Sequence, residues 1–172
     1  MRNEAVRRWV VPGALFGLLA GVAFALFEMV ASWAVDDGFW MPLRMIGAIV
    51  LGDGALQPSY SLTGAALAGA AVHMALSALY GAVFGTVVAV VAGLRESRVA
   101  IVATASIYGL ALWLANFYVV AQVAFGWFQD ADPLVQFVAH TVFYGALLGA
   151  LLAPRVPRRA AATHRRREPL RA

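Results

Sequence analysis

Four long apolar stretches constrain the fold of this 172-residue chain more than any other feature. They lie at about residues 10–35, 62–93, 99–127 and 133–153. A helix needs about 20 mostly apolar residues to cross the hydrocarbon core of a bilayer, so each stretch is long enough to span it. The stretches are continuously apolar and lack period-2 alternation, which favours helices over a membrane barrel. We therefore predict an all-α integral membrane four-helix bundle within residues 1–153.

The composition supports this class and excludes others. Hydrophobic residues make up 62% of the chain and charged residues only 13%, with a mean hydropathy of +0.77. The absence of cysteine excludes disulfides, thiol catalysis and cysteine-ligated metal clusters. The chain also lacks the HExxH and GxSxG motifs of familiar hydrolases. We therefore expect no enzymatic activity.

The placement of charge predicts how the chain is oriented. The 13 basic residues are all arginine, and all but Arg44 lie before the first stretch, between the second and third, or after the fourth. The two remaining loops are acidic, with Asp36, Asp37, Asp53, Asp130 and Asp132. By the positive-inside rule, both termini are cytoplasmic in a multi-pass protein of the bacterial inner (plasma) membrane. The Arg clusters would then face anionic lipids in the bilayer, and we expect no nucleic-acid partner.

Two shorter segments lie outside the four stretches. Residues 42–51 form an apolar run that is too short to span, with Pro42 suited to a first helical position and Gly52 to a C-cap. We predict a re-entrant or interfacial helix there, in the first outer loop. Residues 154–172 are rich in Arg, Pro and Ala, and we expect a basic, disordered cytoplasmic tail.

Glycines recur with the spacing of closely packed membrane helices. The residues are Gly13, Gly17 and Gly21, then Gly81 and Gly85, then Gly145 and Gly149. A spacing of four removes side-chain bulk from one stripe of a helix, so that another backbone can approach it closely. The stripes serve either packing within this chain or homo-oligomerisation. The partners left open by the sequence are a second copy of the chain or another membrane protein.

Polar side chains inside the spans are the candidate site, because such groups are costly in a bilayer. The set is Glu28, His73, Asn116 and His140, with Arg44 in the short helix. At 1.5 Å per residue, the four span residues lie roughly 10–18 Å below the outer boundary. We predict that they line an outward-facing polar pocket, covered by Arg44 in an ion pair with Glu28. Gln122 and Gln136 lie near helix ends, and we leave them out.

Helical spacing adds flanking residues to this pocket. Ser77 and Tyr80 share a face with His73, Trp113 lies beside Asn116, and Tyr144 follows His140 by one turn. For His73, Asn116 and His140, the alternative is a hydrogen bond between helices without any ligand. For Glu28, the alternative is a structural pair with Arg44 or a protonated carboxyl.

These residues leave three functions open. The first is transport or binding of a small solute or ion through the pocket. The second is a non-catalytic accessory or scaffold subunit of a membrane complex. The third is a haem b or metal protein in which His73 and His140 are the ligands. Apart from this third reading, we expect no metal and no cofactor.

An ordered series of short segments carries a family resemblance. The segments are Phe27-Glu28-Met29, residues 42–52 with Arg44, His73 to Tyr80, Gly109 to Tyr118 with Asn116, Trp127-Phe128, and His140 before Gly145. The series resembles a family of small, functionally uncharacterised bacterial inner-membrane proteins with four spans. Some members are labelled sodium:proline symporter, but known symporters of that name are several times larger. The resemblance implies the four-span architecture and the same five polar residues.

Overall fold

The computed structural model describes residues 2–157, and this part of the chain is helical throughout apart from short connections. It contains five helices, here α1 (Arg2–Ala34), α2 (Met41–Leu51), α3 (Leu62–Val90), α4 (Arg98–Ala124) and α5 (Pro133–Arg155). All but α2 are long and apolar enough to cross a membrane. The prediction of an all-α chain with four long apolar helices is therefore confirmed.

Capping residues set the beginnings of the last three long helices. The Ser61 hydroxyl accepts from the backbone N–H of Gly64 at the start of α3, and Ser97 does the same for Ala100 in α4. Asp132 precedes α5 and accepts from two backbone N–H groups, with Pro133 in the first position. Each cap satisfies donors that the first turn of a helix leaves without a partner.

The long helices form two antiparallel pairs in which glycines bring the backbones into contact. In the first pair, Gly81 of α3 lies against Gly13 and Gly17 of α1, so that a Cβ atom at Gly81 would overlap the Gly13 carbonyl oxygen. In the second, Gly145 of α5 lies against the carbonyl of Ala105 in α4. These glycine stripes pack within the chain.

The two pairs meet unevenly. Helix α1 packs directly on α5, whereas α3 and α4 make few backbone contacts. Aromatic side chains fill the gap between them: the Tyr108 hydroxyl donates to the Tyr80 carbonyl at 3.0 Å, and the Phe84 and Tyr108 ring centroids are 5.3 Å apart. The separation leaves space between the pairs on one side of this aromatic layer.

The two ends of the bundle differ in packing. We call the end of the bundle that contains residues 35–61 and 125–132 the acidic end. The opposite end contains residues 91–97 together with the first and last described residues of the chain, and we call it the basic end. The largest fully buried side chains lie toward the basic end: Phe84, Val88, Ile101, Leu148, Leu152 and Val156. The basic end is therefore a closed apolar core.

Helix α2 packs alongside the first turns of α3 at the acidic end. Gly47 lies against the carbonyl of Ala65, and the carbonyl of Leu43 lies against Gly69. Since residue numbers rise along α2 as they fall along α3, the two helices run antiparallel. Gly52 then ends α2 with a φ of 81°, a conformation that favours glycine.

The first residues of the segment that we predicted as a tail pack on the bundle. A helical turn covers Ala153–Arg155, and Val156 is buried. The Arg155 guanidinium lies 5.5 Å from the centroid of the Phe16 ring. Residues 158–172, where most of the predicted tail lies, are outside the described residues.

Candidate functional site

A cavity of about 910 Å³ lies between the two helix pairs at the acidic end. The four long helices form its walls. One face of α2, with Met41, Met45, Ile46 and Ile49, covers it together with residues 125–132. Ligand cavities for small molecules commonly measure about 300–1,000 Å³, so the space suits a small organic molecule.

Each long helix contributes a polar side chain to the cavity wall. These residues are Glu28 from α1, His73 from α3, Asn116 from α4 and His140 from α5. Three of the four predicted flanking residues, Ser77, Tyr80 and Tyr144, are on the wall as well. Within the described part of the chain, the structure thus brings seven of the nine predicted pocket residues together and leaves out Arg44 and Trp113. The Trp113 ring instead packs against Tyr118 and Phe137.

Both histidines are oriented by backbone carbonyls. The distance from His73 Nε2 to the Gly21 oxygen is 2.8 Å, and from His140 Nδ1 to the Gln136 oxygen 2.9 Å. A carbonyl oxygen only accepts, so these ring nitrogens donate. The Phe24 ring contacts both imidazoles, with centroid distances of 5.2 Å to His73 and 4.8 Å to His140. Each imidazole is held in one orientation, with its other nitrogen unused by these bonds.

Those other nitrogens, His73 Nδ1 and His140 Nε2, are the atoms that would hold a haem or metal ion. A metal-binding histidine often donates its second N–H to a carbonyl, as both do here. Among the described residues, however, no group of three or more His, Asp or Glu side chains comes together as a metal site. Within the described residues, a bound metal would therefore depend on these two imidazole nitrogens alone. The Phe24 ring packs against both imidazoles.

The carboxyl group of Glu28 is the least satisfied polar group of the wall. Glu28 is only 6% exposed, and its side chain is hydrogen-bonded to that of Gln136. Its Oε1 atom is buried and has no hydrogen-bond partner. An ionised carboxylate in such a place is costly unless a proton or a cation accompanies it.

The prediction of an ion pair between Glu28 and Arg44 is wrong. Both residues are described, and the Arg44 guanidinium donates to the carbonyls of Ala55 and Gln57, with Nη2 3.0 Å from the Ala55 oxygen. The physical reason is helical register, because Arg44 is on the side of α2 away from the residues that cover the cavity. Its guanidinium satisfies carbonyls in the turn after α2 and leaves Glu28 without a basic partner.

Gln136 belongs to the site, although we left it out on the basis of sequence. It is buried, lies on the cavity wall, bonds Glu28 through its side chain and accepts from His140 through its carbonyl. Its distance from His140 is four residues, which places both on one helix face. That spacing is the signal in the sequence that places Gln136 at the site.

Two wide helical turns carry part of the wall. In α4 a π-helical segment covers Asn116–Val120, and in α5 another covers Ala139–Ala146, which includes His140 and Tyr144. Such turns recur at functional sites. The Tyr144 hydroxyl donates to the Ser77 carbonyl at 2.7 Å, which ties the wide turn of α5 to α3. These segments are not predicted from the sequence.

Comparison with known proteins adds no assignment to this geometry. No family model, no curated protein and no solved structure matches the chain.

The charged residues of the wall are all acidic in the described part of the chain. They are Glu28 in the interior and Asp37, Asp130 and Asp132 at the exposed rim. No arginine among residues 2–157 contributes to the wall, and the chain contains no lysine. Since Asp132 also caps α5, Glu28, Asp37 and Asp130 are the carboxylates that remain for other partners.

Proposed function

We propose that the chain is a multi-pass protein of the bacterial inner membrane that binds a small solute in the cavity, as part of solute transport. Insertion into a bilayer is supported by the outer surface of α1. Large apolar residues are exposed there at helical spacing: Val11, Leu15, Leu19, Val22, Leu26, Val30 and Trp33. An exposed stripe of this length is typical of a surface covered by lipid.

The distribution of charge supports an outward-facing cavity. Arg95, Arg98 and Arg155 are at the basic end, while Asp36, Asp37 and Asp53 are at the acidic end. By the positive-inside rule the basic end is cytoplasmic. The cavity would then open toward the outside and stay closed toward the cytoplasm by the apolar core.

One observation carries the proposal of solute binding. All four long helices direct polar groups to one cavity large enough for an organic molecule, and one carboxyl oxygen of Glu28, Oε1, lacks a hydrogen-bond partner. A scaffold needs only hydrogen bonds between helices, and those are compatible with close packing. The combination of space and an unsatisfied buried group favours a ligand.

The proposal is tested by a thermal-unfolding screen of the detergent-purified protein against a broad set of small anions, cations, zwitterions and neutral solutes. A ligand that binds only the folded state raises the unfolding temperature with its concentration. We expect one chemical class to do so saturably, and to show uptake in liposomes that contain the protein. If no class stabilises the protein, the binding proposal is wrong.

A further inference from the structure

We infer that the solute is an organic cation with an apolar body, such as a protonated amine, and that its charged group binds at Glu28. This inference rests on the proposed function and names the ligand class of the same cavity. It follows from three features of the described wall: the sign of its charges, the missing partner of one carboxyl oxygen, and the aromatic rings around that group.

The sign of the charges on the wall argues against an anion as the solute. With Arg44 bonded to carbonyls of the loop after α2, the wall residues present carboxylates and no guanidinium in the part of the chain that the structure describes. An anion would meet Asp37 and Asp130 at the rim and Glu28 inside. A cation would be attracted at both places, because opposite charges attract more strongly where water is scarce.

The Oε1 atom of Glu28, which has no hydrogen-bond partner, is the atom at which the cation would bind. Glu28 is 94% buried, since 6% of its surface is exposed, and its only described bonding partner is the neutral side chain of Gln136. An ammonium group carries three donors and no acceptor, so a small adjustment of the side chain would let it supply both the charge and the hydrogen bond that the carboxylate lacks. The two imidazoles on the wall offer further acceptor nitrogens.

The rest of the wall fits an apolar body. Phe24 contacts both imidazoles, Phe117 contacts His140 with a centroid distance of 5.7 Å, and Phe117, Tyr80 and Trp127 also line the cavity. Aromatic faces attract cations as well as apolar groups. A bare inorganic ion would leave most of the 910 Å³ unfilled, and the described residues do not form a cluster for a metal ion.

Three probes with one aromatic body and different charge test the inference by calorimetric titration of the wild-type protein at neutral pH. They are phenethylammonium, phenethyl alcohol and phenylpropanoate. We expect phenethylammonium to bind at least about tenfold more tightly than the alcohol, which is the size of one charge-assisted hydrogen bond, and phenylpropanoate not to bind. This comparison needs no variant.

Variants then locate the charged group. Glu28→Gln keeps the shape of the side chain and removes its charge, and we expect phenethylammonium to bind about tenfold more weakly or worse. Asp53→Asn is the matched control, because Asp53 is an exposed carboxylate of the acidic end that does not line the cavity. It should leave the affinity unchanged. If Glu28→Gln fails to fold, the double variant Asp37→Asn/Asp130→Asn takes its place, and its loss of affinity should disappear at high salt.

The outcomes separate the inference from the proposed function. Equal affinity for the ammonium and the alcohol, or tighter binding of phenylpropanoate, would overturn the cation inference and leave solute binding intact. Unchanged ammonium affinity in a folded Glu28→Gln variant would overturn the assignment to Glu28. If neither these probes nor the broad screen gives any binding, the proposed function fails as well.

Discussion

At the scale of single residues, the polar side chains of the site and its cover differ in whether their hydrogen-bonding atoms have partners within the protein. His73 and His140 each use one nitrogen on a carbonyl, and Arg44 uses its guanidinium on two carbonyls. Glu28 keeps a buried oxygen without a donor. A buried polar group without a partner is costly, and this cost is the physical basis of the proposed ligand.

Arg44→Met should lower stability without harming the site. The substitution keeps an unbranched stem but removes the donors to Ala55 and Gln57, and the Ala55 residue is fully buried. We expect the free energy of unfolding to fall by about 1–3 kcal/mol, the usual cost of an unsatisfied buried group. Denaturant or thermal unfolding in detergent measures this change.

Affinity for a cavity ligand should not decrease in Arg44→Met, because Arg44 is absent from the cavity wall. Arg8→Met is the control, since Arg8 is exposed at the basic end and its loss should change stability little. Weaker ligand binding in Arg44→Met at unchanged stability would instead restore the role of this residue as part of a cover.

The sequence shows which residues are candidates but not which partners they take. Glu28, His73, Asn116 and His140 are conspicuous because polar groups within apolar spans are costly and therefore rare. The partner of Arg44 depends on where the carbonyls of a later turn come to lie, which no local pattern specifies. The bond between Glu28 and Gln136 depends in the same way on the approach of α1 and α5.

Among the helices, the glycine stripes determine which ones form close pairs. In α1 and α3 they bring the backbones into direct contact, and in α4 and α5 Gly109, Gly145 and Gly149 do the same. Between α3 and α4, where Tyr80 and Tyr108 intervene, the helices are farther apart. Close contact on some sides and wide separation on another is what creates the cavity.

Gly81→Val should therefore destabilise the first helix pair. Its Cβ would overlap the carbonyl oxygen of Gly13, so that α1 and α3 would have to move apart. We expect a loss of about 1–3 kcal/mol, as for other overpacked sites, and a lower thermal-unfolding midpoint in detergent.

Ala75→Val is the control for this experiment, because it also introduces a valine into α3 but at an exposed position. It should leave the midpoint nearly unchanged. Equal effects of the two substitutions would mean that the Gly81 contact does not hold the pair together.

The existence and positions of the long helices are readable from the sequence, whereas their internal geometry is not. Four apolar stretches of sufficient length leave little choice of element, and Ser61, Ser97 and Asp132 mark helix starts. The wide turns at Asn116–Val120 and Ala139–Ala146 arise from how the helices pack. The sequences of these segments do not differ in pattern from those of ordinary apolar helices. Hydrophobic length therefore predicts the scaffold but not the local shape of the site.

In the whole molecule, a closely packed basic end is joined to an acidic end that contains the cavity and its cover. Toward the basic end, the side chains of Phe84, Ile101 and Leu148 fill the space between the helix pairs. Toward the acidic end, the same space is the cavity. If the arginines set the orientation of the protein in a bilayer, the cavity would face one side of the membrane only. Passage of a solute to the other side would require the apolar core to separate.

The absence of cysteine gives a direct test of this orientation. Ser59→Cys at the acidic end and Gly93→Cys at the basic end place single thiols at exposed positions. We expect a membrane-impermeant maleimide to label Ser59→Cys in intact spheroplasts, and Gly93→Cys only after the membrane is opened. The reverse pattern would invert the proposed topology, and equal labelling of both thiols in intact spheroplasts would contradict a sealed, single orientation.

The cover of the cavity also has an optical consequence. It consists of two pieces from distant parts of the chain, joined where the Trp127 indole donates to the Met45 carbonyl at 3.0 Å. All five tryptophans lie in the described part of the chain, and only Trp127 is on the cavity wall. Separation of the two pieces would break this bond and expose the indole to water, so a red shift in the emission of Trp127, measured with the other four tryptophans replaced by Phe, would report that separation.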